Sequence, residues 1–516
     1  MRGFRTIGPA RCATVVAALA AVAMLAACGG GGGGSSAALP IPAAPVAPAD
    51  TTVVASASVA GQCAAPRFGA DPDTGAAFPD RSGSIASEKS WIRAWIDETY
   101  LWFDEVPGVK AADFATPIEY FSALKTPNTT ASGRAKDRFH FTSDTATYRA
   151  LSQSGIEVSY GFEPAILSPA PPRDIRVAFT EPGSPASQAN IDRGAQVIAI
   201  DGIDVVGGTN VAGLNAGLTP KREGETHSFT LRALDGSERS VTLAAARITR
   251  TPVQHVKTIA TPSGPVGYLL FNDHTATAEA QLVAAVDQLK SANIVDLVID
   301  MRYNGGGLLD IASELAFMIA SPLATTGTVF ERLQFNKKNP FGFTPAQSTV
   351  PFHATTRGYS TAAGQALPQL SLSRVTLVAG PDMCSASESV VNSLRGVGVT
   401  VNLIGAATCG KPYGFFPQDN CGTTYFAIQF QGVNQQGFGD YGDGFAPTCT
   451  VPDDFSHALG DPAEARFAAA LAFRTTGACP TPSSNKLDAE RSKAEINGTP
   501  YLVRSPMREN RAITTP

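Results

Sequence analysis

The chain has 516 residues, 43% of them hydrophobic and 16% charged, with Lys+Arg 40 against Asp+Glu 45 and a formal net charge of −5. That balance excludes the basic footprint of a nucleic-acid-binding protein, and the mixture fits neither a polytopic membrane protein nor a mostly disordered chain. At roughly 100–200 residues per domain the length leaves room for two to four, and 49 glycines and 37 prolines imply many turns.

At the N-terminus Arg2, Arg5 and Arg11 precede an apolar run from Ala13 to Leu25. This is the basic-then-apolar pattern of an export signal, and it is too short for a spanning helix of ~20 residues. The run ends in Leu25-Ala26-Ala27-Cys28, which resembles a bacterial lipobox. The resemblance implies cleavage before Cys28 and lipidation of Cys28. With Gly29 rather than Asp following, it implies an outer-membrane lipoprotein facing the periplasm. Residues 1–27 thus read as a signal peptide, and 28–80, rich in Gly, Ala and Pro, as a flexible tether. Beyond Cys12 and Cys28 remain Cys63, Cys384, Cys409, Cys421, Cys449 and Cys479. An exported chain can join these in three disulfides, among 15 possible pairings. None has zinc-site spacing, so no metal and no cofactor are expected.

From residue 81 to 150 the signals are helical, with Trp91, Trp95, Trp102, Tyr120 and Phe121 as apolar anchors and Pro107 and Pro117 as breakers. From 151 to 246 short β-type runs alternate with turns such as Glu181-Pro182-Gly183-Ser184 and Asp201-Gly202. The run Pro182-Gly183-Ser184-Pro185-Ala186, then Ile191, Gly194 and Val197-Ile198-Ala199-Ile200-Asp201-Gly202, resembles a PDZ domain. That resemblance places a carboxylate-binding loop at Tyr160, Gly161 and Phe162, and it implies capture of peptide C-termini by strand addition.

Residues 247–478 alternate strands and helices. Val295–Asp300 is a mostly apolar run, broken by Asp296 and ending in Asp300, and it reads as a strand buried on both faces. Strands at 374–379 and 399–404 and helices at 278–290, 309–319 and 387–394 complete an α/β layer with a largely parallel sheet, whose chemistry belongs at the C-terminal strand ends. Two such ends stand out. After 295–300 comes Met301-Arg302-Tyr303-Asn304-Gly305-Gly306-Gly307, whose glycines can present bare N–H groups to an oxyanion. After 374–379 comes Gly380-Pro381-Asp382-Met383-Cys384-Ser385-Ala386-Ser387-Glu388, a serine where strand turns to helix. Position alone favours an N-cap for Ser385 or Ser387. Lys411, between Gly410 and Pro412 just past the next strand, changes that balance, because adjacent parallel strands bring the two ends together.

Asp-Met-Arg-Tyr-Asn-Gly-Gly-Gly, Ser-Ala-Ser-Glu and Gly-Lys, in that order after a PDZ-like region, resemble the C-terminal processing (tail-specific) serine peptidases over roughly residues 88–475. The resemblance implies Ser385 as nucleophile, Lys411 as general base, and the amides of Gly306 and Ala386 as the oxyanion hole. It also implies protein or peptide substrates with apolar C-termini. The base must be neutral, whereas an exposed lysine has a pKa of ~10.4. Lowering that by about three units corresponds to roughly 4 kcal/mol, which burial can supply. Related enzymes often carry a glutamine four residues after the lysine; here that position is Phe415.

The fold class expected is therefore α/β (α+β multidomain): a helical N-terminal region (81–150), a PDZ-like β domain (151–246), an α/β layered serine peptidase core (247–478) and a polar surface tail (479–516). The expected function is a Ser/Lys-dyad endopeptidase cleaving near substrate C-termini and held to the membrane by a lipid. The alternative is an inactive relative serving as a binding or scaffold lipoprotein. No G-x-S-x-G elbow or H-E-x-x-H is present, and His274 reads as a satisfied loop residue.

Overall fold

A computed structural model describes residues 54–480 and the backbone of a two-residue strand at 511–512. The signal sequence and Cys28 lie outside the described residues. Among those described, no helix is long and apolar enough to cross a membrane.

The core is a six-stranded sheet whose spatial order follows the chain: β1 (Val253–Ile259), β2 (Val266–Phe271), β3 (Asp296–Asp300), β4 (Arg374–Ala379), β5 (Thr400–Gly405) and β6 (Cys449–Thr450). β1 runs antiparallel to β2, and every other pair is parallel. Strand periodicity sorts the side chains to two faces. Leu269, Phe271, Leu297, Ile299, Val375, Leu377, Val401 and Leu403 pack with the helices Ala278–Ser291, Leu309–Ile319 and Ala386–Gly396. Tyr268, Leu270, Val298, Val378 and Ile404 meet the helix Ala465–Thr476 on the other. Both faces are covered, which suits the apolar centre of β3, Leu297-Val298-Ile299, between Asp296 and Asp300. Because β3, β4 and β5 are adjacent and parallel, the loops leaving their C-terminal ends share one edge.

The aromatic residues of 85–141 form a second core. Trp91, Trp95, Tyr100, Phe121 and Phe139 pack with Tyr413, Phe415 and the Cys384 and Cys409 side chains, so the N-terminal region covers the loops after β4 and β5. Residues 156–249 form an antiparallel unit of their own. Its sheet has Phe162–Ser168 at one edge, followed by Asp174–Thr180, Gln196–Ile200, Thr226–Arg232 and Glu238–Ala244, with a short helix at Val211–Leu218.

Two expectations need correction. The segment 28–80 is not a tether throughout. Residues 54–80 include a helix at Ser56–Val59, the strand Gln62–Cys63 pairs with Arg81–Ser82, and Cys63 is joined to Cys421. Burial of Cys63 and a bond to a residue 358 positions away order what composition reads as flexible. The polar tail, likewise, is not all free surface: Arg511–Ala512 pairs in parallel with Gly307–Leu308. Backbone hydrogen bonds need no apolar side chains, so polarity is no guide to that pairing.

Candidate active site

Ser385 leaves β4 and caps the helix Ala386–Gly396 in a strained conformation, φ +61° and ψ −116°. A non-glycine residue there is uncommon, and such strain persists only where surrounding structure enforces it. The residue is fully buried, and its Oγ has no hydrogen-bond partner. The carboxylate of Glu388 takes the Ser385 N–H, at 3.0 Å.

Glu388 is the hub of the site. Its Oε2 also accepts the Lys411 N–H at 2.8 Å, and its Oε1 accepts the Gly410 N–H at 2.8 Å and the Thr408 hydroxyl at 2.5 Å. One buried carboxylate thus gathers the backbones of Ser385 and Lys411. Burial pushes its pKa upward, against the opposing pull of these donors. A disulfide between Cys384 and Cys409, with Cα atoms 5.1 Å apart, ties the same two loops one residue before Ser385 and two before Lys411.

Lys411 is fully buried, and its Nζ lies 4.6 Å from the centre of the Phe415 ring and 4.9 Å from that of Phe139. Phe415, four residues on, supplies a ring face to the amine. The rings favour the ammonium by about 0.5–2 kcal/mol. Arg134 and Arg138 of the N-terminal region donate to the Cys409 carbonyl, and Arg138 also to that of Gly410 at 3.2 Å.

The glycine turn after β3 abuts Ser385 from the other side. The Cys384 N–H and the Ser387 hydroxyl both donate to the Asn304 carbonyl, at 3.0 and 3.1 Å. The Gly306 N–H is already donated to Asn304 Oδ1 at 3.0 Å, because the asparagine folds back on its own turn. His274 Nδ1 contacts the same oxygen at 3.0 Å, and Asn304 Nδ2 donates to the Phe271 carbonyl. Burial lowers the His274 pKa to about 3, so the ring is neutral, and its Nε2 is buried without a partner. The Gly307 amide is better disposed. His274 bonds the Gly306 carbonyl and the Leu308 N–H, leaving Gly307's own groups facing the opposite side. Only glycine fits there, since φ is +134° and a Cβ would lie 2.6 Å from the His274 carbonyl oxygen. The Ala386 N–H opens its helix, among the first-turn amides that have no intrahelical acceptor.

In the 156–249 unit, Tyr160 and Phe162 line a cavity of about 710 Å³ with Ile166, Leu218 and Leu151. The Gly161 N–H donates to Ser159 Oγ at 3.2 Å, and Gly161 holds φ +86° against Ser184. This unit docks beside the glycine turn through Arg193, which donates to Asp453 at 2.7 Å and to the Tyr303 hydroxyl at 2.8 Å. Arg302 closes the network on Asp300, Asp453 and Glu464.

Glu388, Asn304, Phe139 and the Cys384–Cys409 pairing were not assigned roles from sequence, and His274, read there as a satisfied loop residue, is instead buried with its Nε2 unpartnered. Only Glu388 carried a local signal, the S-x-x-E spacing of a capping box.

Among known families, residues 265–419 match Peptidase family S41, and residues 87–141 match the Peptidase S41 N-terminal domain. A carboxyl-terminal-processing protease of Picosynechococcus sp. is 29% identical over 177 residues, 33% of this chain and 39% of that protein. Another of that name from Synechocystis sp. is 29% identical over 137 residues, 26% of this chain and 31% of that one. The matches therefore span less than two-fifths of the length of these relatives. A crystal structure of an S41-type protein from Bacteroides fragilis NCTC 9343 superposes with a TM-score of 0.57 at 21% identity, covering 78% of this chain and 100% of that one. It shares the fold.

Proposed function

We propose that the protein, whose residues 265–419 match Peptidase family S41, is a serine endopeptidase of the C-terminal processing type, with Ser385 as nucleophile and Lys411 as general base. The observation that carries this reading is the shared carboxylate of Glu388, which binds the N–H groups of both residues in a buried site.

Ser385 Oγ attacks the peptide carbonyl carbon while Lys411 Nζ takes its proton. The oxyanion is held by the Ala386 amide and, in place of Gly306, by that of Gly307. On collapse Lys411 returns the proton to the leaving amine, and an acyl-serine remains. Water then attacks the acyl carbon, Lys411 takes its proton, and the serine is regenerated as the carboxylate product leaves.

The 156–249 unit supplies capture. Phe162–Ser168 is an edge strand beside an apolar cavity and the helix Val211–Leu218, which suits addition of a substrate C-terminus as a further strand. The lipid at Cys28 would hold the enzyme at the outer membrane. Three disulfides among the described residues accord with an oxidising compartment such as the periplasm. Replacing Cys28 by Ser is expected to move the protein from the membrane to the soluble envelope fraction.

Incubation with an unfolded protein bearing an apolar C-terminus tests the chemistry. Ser385→Ala and Lys411→Ala each abolish cleavage, a loss of at least about 10³-fold in kcat, with unchanged thermal unfolding. Equal loss of substrate with wild type and Ser385→Ala overturns the assignment.

A further inference from the structure

The tail returns to the catalytic loops. Gly307 pairs with Arg511 and Leu308 with Ala512 in a parallel register, and the strand Arg511–Ala512 also lies against Tyr413–Gly414, which follows Lys411. On its other side Gly307–Leu308 is occupied by His274, which uses the Gly306 carbonyl at 3.0 Å and the Leu308 N–H at 2.8 Å. Strand groups alternate in direction, so the N–H and C=O of Gly307 face Arg511–Ala512. The tail backbone thus crosses between the turn that abuts Ser385 and the segment that carries Lys411.

We infer that the C-terminal tail of this chain is the resident occupant of the substrate cleft, laid as an added strand on Gly307–Leu308 and excluding other peptides from that edge until displaced. The inference rests on reading this cleft as the peptidase site. Strand addition is made by main-chain hydrogen bonds, so a substrate backbone and the tail compete for the same groups. The tail can reach. Cys479 is fixed to Cys449 beside β5, and residues 480–510 extend to at most roughly 100 Å. Attachment also gives the tail an effective concentration on the order of millimolar, which free substrate must overcome.

The test compares the full chain with two variants, one ending at Thr481 and one carrying Ala512→Pro, which removes a ladder N–H. Each is expected to lower KM for an unstructured peptide about threefold or more, with kcat unchanged. A second readout needs no turnover. On a Ser385→Ala background, a fluorescein-labelled peptide of residues 505–516 is expected to bind the shortened chain and to bind the full chain at least about tenfold more weakly. That result supports tail occupancy even if the peptidase reading fails. Equal binding to both chains, binding to neither, or an unchanged KM in both variants overturns it.

Discussion

The loops after β3, β4 and β5, proposed for bond making, and the groove of the 156–249 unit, proposed for capture, are built in opposite ways. At the loops every functional residue is buried and held by polar bonds: Ser385, Lys411 and Gly410 by Glu388, Gly306 by Asn304, and two loops by one disulfide. The groove is a cavity of about 710 Å³ whose walls are mainly apolar side chains, among them Phe162, Ile166 and Leu218. Bond making needs donors and acceptors fixed before the substrate arrives. Capture needs only an exposed strand edge and apolar area. Rigidity is concentrated where chemistry requires it, and Arg193 joins the two regions at residues 303 and 453.

The contrast is broken most severely at Glu388. Glu388→Ala strands buried N–H groups at about 1–3 kcal/mol each, so a stability loss of roughly 3–5 kcal/mol is expected in urea unfolding. Activity of the folded fraction should fall more than about 100-fold. Groove substitutions such as Leu218→Ala should leave kcat intact.

Joint replacement of Cys384 and Cys409 by serine removes a cross-link across 25 positions. It is expected to lower stability by about 3 kcal/mol and to reduce kcat rather than raise KM. Reduction of wild type with a thiol should reproduce the loss of kcat.

His274 sharpens the comparison through pH. Its pKa is depressed to about 3 in the fold against ~6.5 unfolded. Between those values the unfolded chain binds the extra proton, so stability falls as pH drops below about 6.5. From pH 7 to pH 4.5 this contributes a loss of about 2–3 kcal/mol, and His274→Gln should remove that part of the slope in urea titrations at the two pH values.

The smallest expected effect is at the junction. Arg193→Ala should raise KM for protein substrates about tenfold, or ~1.4 kcal/mol, by loosening the capture unit. Hydrolysis of a short peptide that never engages the groove should be unchanged. A fall in kcat for the short peptide would mean that the two regions are one.

Much of this was legible from residues. The strand at 295–300 announced itself by the apolar run Leu297-Val298-Ile299, and the helix after Ser385 by a serine at an N-cap position. Lys411 was conspicuous because a lysine between glycine and proline at a strand end has no ordinary surface role. Local pattern also misled. Gly306 has the right residue type for an oxyanion donor, yet its amide is taken by Asn304, a choice visible only once His274 and Phe271 are in place.

The sequence alone determined the α/β layering, the largely parallel sheet and the loops that carry the reactive groups, because periodicity and turn residues act over a few neighbours. Tertiary structure decided the rest. It chose one disulfide pairing out of 15, set Phe139 beneath an amine 272 positions later in the chain, and brought residues 511–512 back to the glycine turn. Contacts between distant segments depend on how whole faces pack, and no short stretch of residues encodes them.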